Sequence, residues 1–489
     1  MKYQNPVIRG FNPDPSVCRV GEEYYLVTSS FEYFPAIPVY HSRDLVNWTM
    51  IGHCIDRPEQ LPLDRVKPSE GVWAPTIRHD GRRFYVTATF MDRGNFIVSS
   101  EFPDRGWSDP VWVEMNGIDP SVYFGNGEMY YCANDFGSGD TEGISLARLD
   151  PETGRILGEK RRIWQGTGGG WLEAPHIYHI GEYYYLLAAE GGSGWGHMVT
   201  EARSRCLWGP YEAFPGNPIL TNRNDVTKQV LESGHADLID DGCGNFFITH
   251  LAIRPSAREK SHLGRETFLT PVVKREDWFV VEGSRAALAE EAPGLAEQRK
   301  AAPFRADFSG KHWEAPWLFP GLEAWRLCTR EPGALVLTPS RRSLADRKLG
   351  AAFAAVRQPD FRCTLRAELD GPARGVKFGV AVYLAPGFVY RVYSQDGALI
   401  GEKFAGDFHQ VVCREPIPAG PVRLTLEAEK DTYRFTWSAG GETGTAMEAS
   451  TRFLCTDMAG KCFTGTVAGV FAEGDPAAGT VRVTDFQMV

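Results

Sequence analysis

The segment DPSVCRVGEEYYLVTSS (14–30) decides the fold, because it returns in altered form four more times. The later copies are APTIRHDGRRFYVTATF (74–90), DPSVYFGNGEMYYCAND (119–135), APHIYHIGEYYYLLAAE (174–190) and ADLIDDGCGNFFITHLA (236–252). Each opens on a small or acidic residue, usually followed by Pro, and runs through an aliphatic stretch into a Gly-containing reversal. It then returns through an aromatic-rich stretch. Gly21, Gly81, Gly127, Gly181 and Gly244 stand at or beside the reversals, so every copy reads as a β-hairpin. Successive starts lie 60, 45, 55 and 62 residues apart, the size of a four-stranded propeller blade with loops of varying length. A second echo, HSRDLVNW (41–48), SSEFPDRGW (99–107) and ARSRCLWGPYE (202–212), fits the third strand of a blade and the turn to its outer strand. A β-sandwich of similar hairpins would account for any one copy but not for the fivefold regularity, so five blades are expected.

Past residue 285 the pattern stops at SRAALAEEAPGLAEQRKAAPFRADF (284–308), rich in Ala, Glu and Pro as inter-domain segments are. Alternating runs follow, among them FRCTLRAEL (361–369), GVKFGVAVYLAP (375–386), VRLTLEAE (422–429) and VRVTDFQMV (481–489), which read as an antiparallel sandwich. The expected chain is therefore all-β: a five-bladed propeller over 1–300 and a jelly-roll-like β-sandwich over 301–489.

A length of 489 residues suits two such domains. The net charge of -10, with no dense Lys/Arg run, argues against nucleic acid or an anionic membrane as partner. The opening MKYQNPVIRGFNPDP lacks an apolar signal-peptide region and no apolar run approaches a membrane span, so a cytoplasmic protein is expected. The cysteines stand singly without CxxC spacing, which favours reduced thiols over a disulfide framework or a zinc site.

In a propeller the inner strand of each blade lines the central channel, so equivalent repeat starts form a ring at one mouth. Aligning the copies brings together Pro13-Asp14, Trp73-Ala74, Ile118-Asp119, Glu173-Ala174 and His235-Ala236. Three carboxyl groups, an imidazole and an indole thus converge from distant segments. Glycoside hydrolysis needs one protonated carboxyl to assist the leaving oxygen and one carboxylate to activate water or attack the anomeric carbon. A third acid raises the first one's pKa by like-charge repulsion, and aromatic rings pack against the C–H faces of sugars.

The motifs FNPDPSV around Asp14, EGVWAPTI around Trp73, GIDPSV around Asp119, LEAPHIY around Glu173, SGHADL around His235 and HLGRETFL around Arg265 resemble glycoside hydrolase family 43. Its β-xylosidases with an appended C-terminal sandwich are the nearest pattern. The resemblance implies an inverting enzyme without an organic cofactor, with Asp14 as general base, Glu173 as general acid, and Asp119 tuning that acid and orienting the sugar. It further implies that Arg265 bonds the terminal sugar, that Phe31 and Trp73 wall the pocket, and that Phe463 in KCFTGTVAG reaches over the mouth. His235 would line the substrate pocket, and some relatives hold a hydrated calcium beside that histidine. The expected substrate is a xylooligosaccharide or an arabinoxylan-derived oligosaccharide, cut from its non-reducing end to release D-xylose. Homo-oligomers are common in such enzymes. An α-L-arabinofuranosidase or a bifunctional enzyme is the closest alternative. A non-catalytic sugar-binding propeller is another, although it has no need of three acids on one ring. An invertase-like fructosidase lacks support, since its Arg-Asp-Pro and Glu-Cys pairs are missing.

Overall fold

The computed structural model describes residues 1–135, 143–256, 259–310, 312–460 and 462–489. Each repeat forms the first two strands of a four-stranded antiparallel blade. Blade I comprises Ser16–Val20, Glu23–Val27, Ala36–Ser42 and Thr49–Ile55, and blade II Val72–His79, Phe84–Phe90, Gly94–Ser100 and Val111–Trp112. Blade III comprises Ser121–Gly125, Glu128–Asp135, Gly143–Leu149 and Ile156–Trp164, and blade IV Glu173–Ile180, Tyr183–Glu190, Met198–Ser204 and Glu212–Ala213. Blade V comprises Leu231–Asp240, Phe246–Ile253, Glu266–Arg275 and Trp278–Val280.

The aromatic-rich second strands are apolar on both faces because each blade is packed on both sides. Leu186 and Ala188 face blade III, while Tyr185 and Leu187, one residue out of phase, face blade V. Val17 and Leu26 of blade I pack on Ile239 and Phe247 of blade V, which closes the ring through side chains. The Ile8–Thr267 bridge and the pairing of Lys2–Gln4 with Ala289–Glu291 reinforce that closure from the chain's first residues.

From Phe304–Arg305, which pairs with Gln487 and Met488, the chain builds two stacked antiparallel sheets of eight and six strands. One face of the six-stranded sheet fills the sandwich core. Its other face, with Phe353, Tyr383 and Phe471, joins a cluster with Phe11, Phe31 and Tyr33 of the propeller. Main-chain pairing crosses the same boundary, where Phe319–Pro320 extends from Tyr33–Phe34, and Arg357 Nε donates to Phe11 O at 2.8 Å. An apolar face of this kind resembles a permanent interface more than a hinge. Deleting residues 301–489 is therefore expected to give insoluble or inactive protein; a soluble propeller with full activity would show that the sandwich is dispensable.

Candidate active site

The mouth of the propeller is built by one backbone device used five times. Asp14, Ala74, Asp119, Ala174 and His235 all have left-handed φ, between 43° and 56°. In blades II, IV and V the inner strand skips two residues against its neighbour at this point: Trp73 to Thr76, Glu173 to His176 and Gly234 to Asp237. These are β-bulges, which bend a strand and re-aim its side chains. Pro15, Pro75, Pro120 and Pro175 follow the left-handed residue in four blades, and Pro has no N–H to leave unpaired in the bulge. Asp and His tolerate this conformation better than most residues, whereas Ala gains nothing local from it. The fifth blade corrects the sequence alignment by one position. His235, not Ala236, is the backbone equivalent of Asp14 and Asp119, and Ala236 stands where the other blades carry Pro.

Asp14 is buried, and Ser29 Oγ donates to its Oδ2 at 2.5 Å while Arg265 Nη1 donates to its Oδ1 at 3.2 Å. Burial alone would raise its pKa, but the Arg265 guanidinium, the nearby His235 and the Ser29 bond together hold it below the usual carboxylate range. Asp119 is pushed the opposite way, well above that range, by burial and then by the negative charges of Glu173 and Asp14. Asp119 thus favours its protonated form beside Glu173, whereas Asp14 favours the ionised form. His235 Nδ1 lies 3.6 Å from Asp14 and 3.9 Å from Asp119, and burial lowers its pKa against the raising effect of Asp14.

The aromatic wall is a three-ring cluster. Phe463 from the sandwich stands 5.4 Å from Trp73 and 5.9 Å from Phe31, and Phe31 stands 6.2 Å from Trp73. Arg265 lies over both phenyl rings, with its guanidinium carbon 5.8 Å from Phe31 and 5.5 Å from Phe463, and its Nη2 donates to Phe463 O at 3.3 Å. Thus the structure brings Phe31, Trp73, Arg265, His235 and Phe463 to the same mouth as the acids. Ser69, which the sequence did not suggest, ties the wall together: Trp73 Nε1 donates to its carbonyl at 3.1 Å and Phe463 N donates to its hydroxyl at 2.9 Å. A lone loop serine gives no sequence signal.

Below the acids the channel is closed by a second polar layer. Arg78 forks onto Asp237 at 2.8 and 2.9 Å, Ser16 Oγ donates to Asp237 at 2.6 Å, and Tyr178 donates to the same carboxylate. This layer was legible in principle, because the third residue of every repeat, counted from the bulge, is polar: Ser16, Thr76, Ser121, His176 and Asp237. Calcium takes six to eight oxygen ligands. Beside His235 the available carboxylates are already engaged by Arg265 and by one another, and the floor carries its own cation in Arg78. Among the described residues no group of three or more His, Cys, Asp or Glu is arranged to hold a metal. These residues do not build a calcium cage of their own; a hydrated ion beside His235, as the resemblance implies, would take most of its ligands from water.

A propeller mouth that gathers three carboxyl groups, a guanidinium and an aromatic wall has the parts of a glycoside hydrolase. Residues 3–279 match Glycosyl hydrolases family 43, and residues 305–489 match the Beta xylosidase C-terminal Concanavalin A-like domain. The chain therefore belongs to glycosyl hydrolase family 43. It is 36% identical over 496 residues to the non-reducing end alpha-L-arabinofuranosidase BoGH43B of Bacteroides ovatus, covering 98% of this chain and 92% of that protein. It is also 36% identical over 325 residues to a beta-xylosidase of Bacillus subtilis, covering 61% of this chain and 60% of that protein. The crystal structure of the GH43 protein BlXynB from Bacillus licheniformis superposes over 100% of both chains with a TM-score of 0.92 at 31% identity.

Proposed function

We propose that the protein is an exo-acting, inverting β-xylosidase that releases D-xylose from the non-reducing end of β-1,4-xylooligosaccharides. The observation that carries this reading is the grouping of Asp14, Asp119 and Glu173 at one propeller mouth, with Arg265 Nη1 3.2 Å from Asp14 and the Phe31–Trp73–Phe463 wall beside them. Asp14 takes a proton from water as the water oxygen bonds to the anomeric carbon. Glu173 gives its proton to the departing glycosidic oxygen as that bond breaks; Asp14 then releases its proton to solvent and Glu173 takes one up, so both carboxyls regain their starting states before the next turnover. Arg265, beyond holding Asp14 ionised, presents donors to the hydroxyls of the terminal sugar. The aromatic wall and the sandwich residue Phe463 support a pocket that admits one terminal sugar. The reaction requires no organic cofactor.

Asp119 acts in this scheme through the shared proton. Changing it to Asn removes the negative charge that helps Glu173 keep its proton, so Glu173 loses that proton at lower pH. The alkaline limb of the kcat/KM profile of Asp119→Asn is expected to move down relative to wild type; an unmoved limb would remove Asp119 from this role.

An α-L-arabinofuranosidase is the second reading, favoured by the Bacteroides ovatus relative, which matches nearly the whole chain. Incubation with p-nitrophenyl β-D-xyloside, p-nitrophenyl α-L-arabinofuranoside and xylobiose separates the two. Cleavage of xylobiose with the aryl xyloside favoured supports the proposal. Preference for the arabinofuranoside with xylobiose intact supports the alternative, and no release from any substrate points to a sugar-binding propeller.

A further inference from the structure

Two large aromatic side chains at the mouth take no part in the pocket wall. Trp171 is 60% exposed and Trp195 is 57% exposed, although indoles usually bury most of their surface. Their positions follow from the blade topology. The loops that enter each inner strand and those joining the second and third strands open on the mouth side, and they supply Ser69, Phe31 and Arg265. Trp171 lies on the loop entering blade IV, two residues before Glu173, and Trp195 lies on the loop between its second and third strands.

The Trp171 loop is held rigid despite its composition. GTGGGW (166–171) would be a flexible stretch by sequence, but the buried carboxylate of Glu190 accepts from Thr167 N at 2.9 Å and from Gly169 N at 2.7 Å. Thr200 Oγ1 donates to the same carboxylate at 2.9 Å, and Gly191 N donates to Gly170 O at 2.8 Å, joining the two loops. Trp171 itself has a left-handed φ of 54°, a conformation with a steric cost for a bulky residue. Gly192 makes room for its ring: a Cβ there would stand 3.2 Å from the indole Cδ1. Trp195 is fixed separately, its Nε1 donating to Arg223 O at 2.7 Å. Ser193, between Gly192 and Trp195, lines a cavity of about 170 Å³ that also touches Arg265, Phe463 and the Glu232–Lys260 ion pair. The two-loop unit is thus continuous with the site.

We propose that Trp171, extended outward by Trp195, is a preformed platform for the leaving-group sugars of an oligosaccharide. The inference rests on Glu173 being the general acid. The leaving oxygen must approach the group that protonates it, so the remainder of the chain departs on the blade IV side, where both indoles stand. A rigid exposed ring matches the apolar face of a pyranose and loses little entropy on binding it.

The test compares wild type with Trp171→Ala, Trp195→Ala and Trp171→Phe on β-D-xylosyl fluoride, xylobiose and xylotriose. Fluoride leaves no sugar on the platform, so its kcat/KM should stay within about two-fold in every variant. Trp171→Ala should lose about ten-fold on the two oligosaccharides, mainly in KM, as expected for one aromatic stack. Trp195→Ala should lose more on xylotriose than on xylobiose, and Trp171→Phe should recover most of the Trp171 loss. Equal losses on fluoride and oligosaccharide would make Trp171 a structural residue and overturn the proposal. Unchanged oligosaccharide kinetics in an active enzyme would overturn the platform alone. A wild type that cleaves xylosyl fluoride but neither oligosaccharide would overturn the β-xylosidase reading and the platform with it.

Discussion

Replacing Glu173 with Ala is expected to lower kcat/KM on xylobiose by about 10²–10⁴-fold, the usual contribution of a positioned general acid. The same variant should lose far less on p-nitrophenyl β-D-xyloside. The difference comes from the leaving group. A sugar alkoxide is strongly basic and departs only with a proton, whereas nitrophenolate departs well without one. The structure places this acid at the first residue of an inner strand, where the Ala174–Pro175 bulge turns the chain, and the Asn134 side-chain amide donates to the carbonyl of the preceding Leu172. Burial and the nearby charges of Glu173 and Asp14 raise Asp119, and such repulsion between neighbouring carboxyls favours a retained proton. Steady-state kinetics on both substrates check the point; equal losses on the two would take the general-acid role away from Glu173.

Replacing Asp14 with Ala should give a loss of about the same size, 10²–10⁴-fold, but similar on both substrates. Activation of the attacking water is required whatever leaves. Asp14 suits that role because Arg265 and Ser29 hold it ionised, so the base remains available below the pH at which an ordinary carboxylate would take up a proton. A loss that depended on the leaving group would reverse the assignments of Asp14 and Glu173.

Much of this site was legible in the sequence, for a physical reason. A propeller repeats one hairpin, so the position that meets the channel recurs at a fixed phase, and residues of unusual chemistry at that phase stand out. Asp14 and Asp119 were visible at that phase and Glu173 one residue before it, whereas the roles given to Phe31, Trp73, Arg265 and Phe463 came from the family resemblance. The one-residue misalignment at His235 arose because the fifth copy lacks the Pro that marks the bulge elsewhere. Ala236 was matched to Ala74 and Ala174 by residue type, while the backbone matches His235 to them by φ. Ser69, Glu190 and Arg78 were not legible. Each acts through bonds to residues of other loops or strands; Arg78 and Glu190 lie within the repeats, but the repeat pattern does not show what they bond. Trp171 was hidden for a related reason, since a Gly-rich loop reads as flexible until the buried carboxylate that pins it is known.

The central claim is that Asp14 and Glu173 act on opposite faces of the sugar, with water between base and anomeric carbon. Inverting enzymes hold these carboxyls about 6.5–9.5 Å apart, whereas retaining enzymes bring them to about 5–5.5 Å so that one can attack directly. Proton NMR of the first sugar released from a β-xyloside, recorded before mutarotation, tests this most directly. The account predicts α-xylose as the initial product; initial β-xylose would contradict it.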